Sequence, residues 1–303
     1  MTEKRFEIQP QGDYSLEESA GFIGGWHPAP GDGTAGGGHL HLAFLTDRDW
    51  TPAGVCLTQL NGSVNGTVYG DADPAAVKHQ VERILSLDVD GRGWPEVARR
   101  DKVVARLQEM YPGFRPVNWS NAYEAAAWSI ISGRISMQQA SRVKDRMSRE
   151  LGHEVDVHGH RMWIFPEPSR LAKLEDFPGL FGRKAEYLRA LAASALSGDL
   201  ETDTLRALPA DEALQHLKRL HGIGDFGAQL IRLRALGSVD ELPTAERRLL
   251  AAIKMAYNLP KEPDLAQLEE LARKWRPYTM WVCVCLRRTG SETAAMMHTR
   301  ATG

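Results

Sequence analysis

The residues best placed to do chemistry form one continuous stretch, Leu217-Lys218-Arg219-Leu220-His221-Gly222-Ile223-Gly224-Asp225-Phe226-Gly227-Ala228-Gln229-Leu230-Ile231. It reads as a helix, a tight Gly-Ile-Gly turn and a second helix. Two glycines let the backbone turn sharply and let another molecule approach it closely. The amides that open the second helix have no intrahelical acceptor and sit at the positive end of its dipole, which makes them a seat for a phosphate. Leu217, Leu220, Ala228 and Ile231 are spaced to pack the two helices together. An ordinary helical hairpin with a Gly-rich turn explains Gly-x-Gly alone, but the whole pattern L-x-x-L-x-G-I-G-x-x-x-A-x-x-I favours a phosphate-binding helix–hairpin–helix. Lys218, Arg219, Arg142, Arg146, Arg247 and Arg248 are candidates for further phosphate contacts, which would position a duplex without reading its sequence; each is equally readable as part of a solvated helix face.

Other groups carry weaker signals. His39 and His41 share one face of a predicted strand, but a metal pair needs a third ligand and none stands nearby in the sequence. The Gly-rich run Pro30 to His39 lacks the Gly-Lys-Ser/Thr ending of a phosphate-cradling loop. Cys56, Cys283 and Cys285 are too few and too unevenly spaced for a disulfide framework or an iron–sulfur site, and read as free thiols.

The elements that must position these residues divide into two regions. Alternating segments at Phe6–Gln9, His39–Leu45, Gly54–Leu60 and Ser63–Tyr69 predict strands, and Asn61-Gly62 between the last two is a strong hairpin signal. Asp73 and Pro74 open a predicted helix that runs to about Ser86. From Glu96 onward the periodicity is helical, interrupted by Pro and Gly, with short connections and no internal repeat. The expectation is an α+β chain: a small antiparallel β-sheet and helix domain over residues 1–112, followed by an all-α helical bundle over residues 113–303. With 43% hydrophobic and 25% charged residues, the composition excludes disordered and fibrous classes. No apolar run is long enough for a membrane span and the N-terminus lacks a secretion signal, so a cytoplasmic, nucleoid-associated monomer is expected.

The net charge of −2 argues by itself against a polyanionic partner. Its distribution argues the other way. Residues 1–112 hold 10 Lys+Arg against 16 Asp+Glu, whereas the remainder hold 27 against 23. The hairpin therefore lies in a net-basic region.

The hairpin resembles that of the helix–hairpin–helix DNA glycosylase superfamily, and the similarity extends along most of the chain. Leu242-Pro243 follows the hairpin and precedes another helix; Tyr123 to Ala140 resembles the family's wedge region; Trp275-Arg276-Pro277-Tyr278 precedes an apolar final helix. A sheet domain ahead of the helical body is similar to the 3-methyladenine DNA glycosylase II (alkyladenine) branch. The resemblance implies a DNA-repair enzyme that flips alkylated purines out of double-stranded DNA and hydrolyses the N-glycosidic bond, with no required cofactor. It also implies that Gly222, Ile223, Gly224 and Phe226 hold a phosphate. The carbonyls of Leu220 and Ile223 would hold Na+ or K+ beside it. Ile135 would be the wedge and Arg134 its neighbour facing the lesion or the opposite base, with Phe226, Leu230 and Arg287 in the lesion pocket.

Departures from the family pattern are specific. Where bifunctional members carry a Schiff-base lysine, this chain has Phe226, so a monofunctional hydrolase is implied. Where the family carries its catalytic Asp, this chain has Ala245, followed by Glu246. Glu246 reads either as a displaced catalytic carboxylate or as a residue capping the helix it begins. Two alternatives remain open: a noncatalytic damaged-DNA-binding protein that has lost the Asp, and a helical scaffold that uses the hairpin for protein contact.

Overall fold

A computed structural model describes residues 4–25, 37–244 and 246–301, with side chains through Gly290. Ala245 and residues 30–36 of the Gly-rich run lie outside the described residues. The N-terminal strands β1 (Lys4–Ile8), β2 (His39–Leu45), β3 (Pro52–Leu60) and β4 (Ser63–Tyr69) form one antiparallel sheet of order β1-β4-β3-β2. At the β3–β4 turn Leu60 pairs with Ser63, and Asn61 and Gly62 both adopt positive φ, 50° and 83°. That is the two-residue hairpin expected from Asn-Gly.

Helix α1 (Leu16–Gly25) lies between β1 and β2, in a region whose sequence suggested only strands. Its apolar spacing, Leu16, Ala20 and Ile23, is helical and packs it on the sheet. Helix α2 (Pro74–Ile84) begins as expected, with the Asp73 carboxylate accepting the Ala76 N–H at 3.2 Å and proline in its first turn. Then come α3 (Trp94–Arg100), α4 (Lys102–Met110), α5 (Ala122–Ser132) and α6 (Met137–Leu151).

The next segment departs from the helical expectation. His153–Val157 (β5) and His160–Ile164 (β6) form an antiparallel hairpin, with His158 and Gly159 at φ of 55° and 82° in the turn. The strands are short and half exposed, so only a few residues alternate, and the neighbouring helices mask the signal. The rest is helical: α7 (Pro168–Leu171), α8 (Lys184–Leu196), α9 (Thr202–Ala207), α10 (Ala210–Lys218), α11 (Asp225–Arg234), α12 (Arg247–Ala256), α13 (Leu265–Trp275) and α14 (Thr279–Ala301). Among the described residues, no helix is long and apolar enough to cross a membrane.

Three cores result. One sheet face buries Leu40, Val55 and Leu57 under α1 and α2. The opposite face, through Ala43, Leu45 and Cys56, joins a core that includes α5, α8, α11 and the β5–β6 hairpin. A third core unites Trp94, Val104 and Leu107 of α3 and α4 with Leu249, Trp275 and Trp281. The helices that precede residue 112 thus share a core with the C-terminal helices.

Arg115 ties the N-terminal segment to this body. Its fully buried guanidinium donates to five backbone carbonyls: Gln11 at 2.6 Å, Gly12 and Asp13 at 3.1 Å, Ser86 at 3.2 Å and Val89 at 3.0 Å. Burial pulls its pKa below the usual arginine range. Arg115→Met removes all five donors and leaves buried acceptors unsatisfied. The expected result is a loss of about 3–5 kcal/mol of stability, read from urea unfolding.

Candidate nucleic-acid interface and lesion pocket

The hairpin owes its shape to two glycines with different jobs. Gly222 sits at φ +86°, and a Cβ there would lie 2.7 Å from the Tyr187 ring of α8, so both its conformation and its surroundings require glycine. Gly224 is extended, at φ −97° and ψ −169°, with nothing within 4 Å of where its Cβ would be. Its outer side is open to an incoming molecule. Ala228 is the first helix amide to reach back, onto the Gly224 carbonyl at 2.9 Å. The amides of Asp225, Phe226 and Gly227 therefore precede the intrahelical ladder.

A third glycine seats α11 on α5. A Cβ on Gly227 would approach the Ser129 hydroxyl to 2.4 Å, so the two helices meet almost backbone to side chain. The sequence reading assigned close approach to Ala228 and missed Gly227, although the small-residue pair at adjacent positions was its signal. Of the basic candidates, Lys218 pairs with Asp225 across the hairpin at 2.5 Å, and both are exposed. Arg146 lies 4.0 Å from Glu150, while Arg142, Arg219, Arg247 and Arg248 are exposed.

Beside α11 opens a cavity of about 560 Å³ with mostly apolar walls. Phe226 and Leu230 of α11 and Arg287 of α14 all line it, so the sequence-predicted pocket residues converge. Phe226 remains 54% exposed, a large apolar ring left at the surface beside the hairpin. The proposed wedge pair is divided: Arg134 is exposed at a left-handed φ of 59°, whereas Ile135 is half buried against the central core. Neither lines the cavity, but Ser132 and Met137 on either side of their loop do. That loop is fixed at both ends, by Lys184 Nζ donating to the Ile131 carbonyl at 2.7 Å and by a reciprocal Ser136–Gln139 cap on α6.

Glu246 stands at the N-cap position of α12, yet its side chain makes no capping hydrogen bond. Its carboxylate instead meets Arg287 at 2.9 Å within the cavity. A second guanidinium, Arg234 at the end of α11, is half-buried; desolvation lowers its pKa to about 10, opposed by the Glu246 charge. Arg234 donates to the Val117 carbonyl at 2.6 Å and lies 5.8 Å from the Phe22 ring. The carboxylate is thus the acid of a pocket whose other charged walls are arginines, and no lysine lines it among the described residues.

Sequence reasoning missed several wall residues. Trp119 and Trp128, with ring centroids 5.9 Å apart, are buried at the floor, and Phe22 of α1 packs 5.3 Å from Phe114. Trp128 falls one helical turn before Ser132, so its position was available from the α5 pattern. Phe22 was hidden because α1 itself was not recognised. Burial drives the Cys283 thiol far above its usual pKa, and the nearby Glu246 charge adds to the shift, so this wall cysteine is held protonated.

No family model matches the chain. A DNA-3-methyladenine glycosylase of Bacillus subtilis is 23% identical over 208 residues, spanning 67% of this chain and 69% of the relative. Among solved structures, a 3-methyladenine DNA glycosylase from Archaeoglobus fulgidus matches with a TM-score of 0.75 at 20% identity, covering 95% of this chain and 98% of the other. A Schizosaccharomyces pombe 3-methyladenine DNA glycosylase in complex with abasic DNA matches with a TM-score of 0.52 at 18% identity, covering 65% and 97%. Hairpin, cavity, sequence relatives and fold agree: the chain is similar in sequence to DNA-3-methyladenine glycosylases and shares the helix–hairpin–helix glycosylase fold.

Proposed function

We propose that this protein is a monofunctional DNA glycosylase that flips alkylated purines of the 3-methyladenine and 7-methylguanine type out of duplex DNA and hydrolyses their N-glycosidic bond. The observation that carries the proposal is the Glu246 carboxylate, directed into the cavity beside the hairpin rather than onto its own helix. The names of the relatives and of the DNA-bound structural neighbour support the same reading.

A purine alkylated at N3 or N7 is already cationic, so its departure needs no proton. As the bond breaks, the sugar acquires positive charge, and a carboxylate in an apolar pocket stabilises it far more than water would. Arg287 fixes the direction of the Glu246 carboxylate in the free protein. Phe226 at the opening supplies a stacking surface for a flipped base. With phenylalanine at this position and no lysine in the cavity wall, the chain offers no amine for a lyase step.

The phosphate seat would hold the backbone during flipping. The Leu220 carbonyl accepts the Ile223 N–H at 3.1 Å, and its second lone pair is available to a Na+ or K+ that bridges to the phosphate. Arg134, exposed beside the α5 terminus, is the side chain better placed than Ile135 to enter the helix stack.

Two experiments test the proposal. In single-turnover reactions on duplex containing 7-methylguanine, the wild-type chain is expected to release the base, and Glu246→Gln to do so about 100-fold more slowly or worse. Duplex binding without base release by the wild-type chain would instead establish the noncatalytic binding protein. Gly224→Glu places a negative charge at the phosphate seat in open space; it is expected to leave the unfolding midpoint unchanged and to weaken duplex binding about tenfold or more. Unchanged DNA affinity in that variant would count against the hairpin as the phosphate site.

A further inference from the structure

The sheet face turned toward the helical body carries, where the β5–β6 hairpin crosses it, a second group of reactive side chains that takes no part in the cavity. His41 of β2 pairs in register with Cys56 of β3, and His39, two residues earlier, lies on the same face of its strand. The sequence offered no third ligand near these histidines. Folding brings two: Cys56 by the β2–β3 pairing, and His158 because the β5–β6 hairpin is seated on this face where Gly54 leaves room for it, a Cβ on Gly54 lying 2.4 Å from the Val157 side chain. The next residue, His158, occupies the hairpin turn at a left-handed φ of 55°, a position where Asn or Gly ordinarily stands.

The donor atoms of His39, His41, Cys56 and His158 all lie within 4.8 Å of one another. Cys56 Sγ is 3.2 Å from His39 Nδ1 and 3.7 Å from His158 Nδ1. Tetrahedral bonds of zinc length separate these ligand atoms by roughly 3.3–3.6 Å, so two of these separations are already near the required value and the longest has to close by roughly 1.2–1.5 Å. We propose that His39, His41, Cys56 and His158 bind one divalent transition-metal ion, for which zinc(II) is the best match. Three imidazoles and one thiolate, with no carboxylate in the set, suit a borderline-soft metal and disfavour magnesium or calcium. On binding, the Cys56 S–H bond is exchanged for a sulfur–metal bond and its proton is released to solvent. His160, whose ring centroid is 4.6 Å from that of His41, lies beside the set as a neighbour.

The ligands come from three places in the chain: β2, β3 and the hairpin turn about 100 residues later. A metal there would staple the hairpin of the helical body to the sheet, and its binding free energy would add to stability. The site makes no use of Glu246 or the hairpin glycines, so its fate is independent of the glycosylase reading.

The test uses the full chain without an affinity tag, loaded with zinc(II), freed of excess metal, and assayed by elemental analysis. One zinc per chain is expected, together with a rise in the unfolding midpoint. Cobalt(II) used as a probe should give tetrahedral d–d absorption and a thiolate-to-cobalt charge-transfer band. Cys56→Ser should lose that band, His158→Ala should lose the bound zinc and the thermal shift, and His160→Ala should retain both. His158 is an exposed turn residue, so its variant remains informative even where Cys56→Ser folds poorly. Substoichiometric zinc on a folded wild-type chain, or unaltered zinc binding in His158→Ala and Cys56→Ser, would overturn the proposal.

Discussion

The architecture depends on a single buried guanidinium that has no carboxylate partner. Arg115 spends all five of its N–H donors on backbone carbonyls from residues 11–13, 86 and 89, and its face lies 5.4 Å from the Trp281 ring of α14. Carbonyl dipoles substitute for solvent around the charge, so each carbonyl matters to an arginine stripped of water. The geometry of that fork fixes where the chain enters α1. Since Gly21 and Phe22 of α1 line the cavity, the position of one pocket wall is inherited from Arg115. The distant Arg288–Glu18 pair, at 2.6 Å, fastens the same helix from the α14 side.

The pocket itself combines two rigid supports with one mobile pairing. Gly222 under Tyr187 and Gly227 against Ser129 leave the hairpin little freedom to shift, so its amides are fixed relative to α5. Glu246 and Arg287 are both about a quarter to a third exposed, and their pairing is open to competition from a ligand that reaches either group. An anionic phosphate would draw Arg287 away, and a cationic base would draw Glu246. The pocket is therefore preorganised in backbone and adaptable in charge, a division suited to a substrate that arrives from a stacked duplex.

How much of this was legible in the sequence varied with the range of the interaction. The hairpin was readable except for the packing role of Gly227, because its turn glycines, its leucines and its helix-opening amides are local to one stretch of 15 residues. The Asn61-Gly62 turn and the Asp73 cap were readable for the same reason. Glu246 was found, but its orientation was undecidable, since a residue at a helix start points to its own amides or away from them according to partners 41 positions along the chain. The β5–β6 strands escaped because two five-residue strands give too few alternations to stand out between helices. The third and fourth members of the histidine cluster escaped because sequence spacing reports on neighbours along a strand and not on what a later hairpin lays across it.

The contacts that close the pocket also set an order of events during synthesis. Glu18 and Arg288 are 270 residues apart, and the Tyr278 hydroxyl reaches the Asp90 carbonyl across 188 residues. A ribosome delivers α3 and α4 long before α14, so their apolar faces wait exposed until the final helix emerges. Contacts this distant in sequence favour slow completion of the fold. An interrupted nascent chain would carry the Gly222–Gly224 hairpin without the wall that bears Arg287. The hairpin is thus assembled earlier than the chamber beside it, and only the finished protein joins the two.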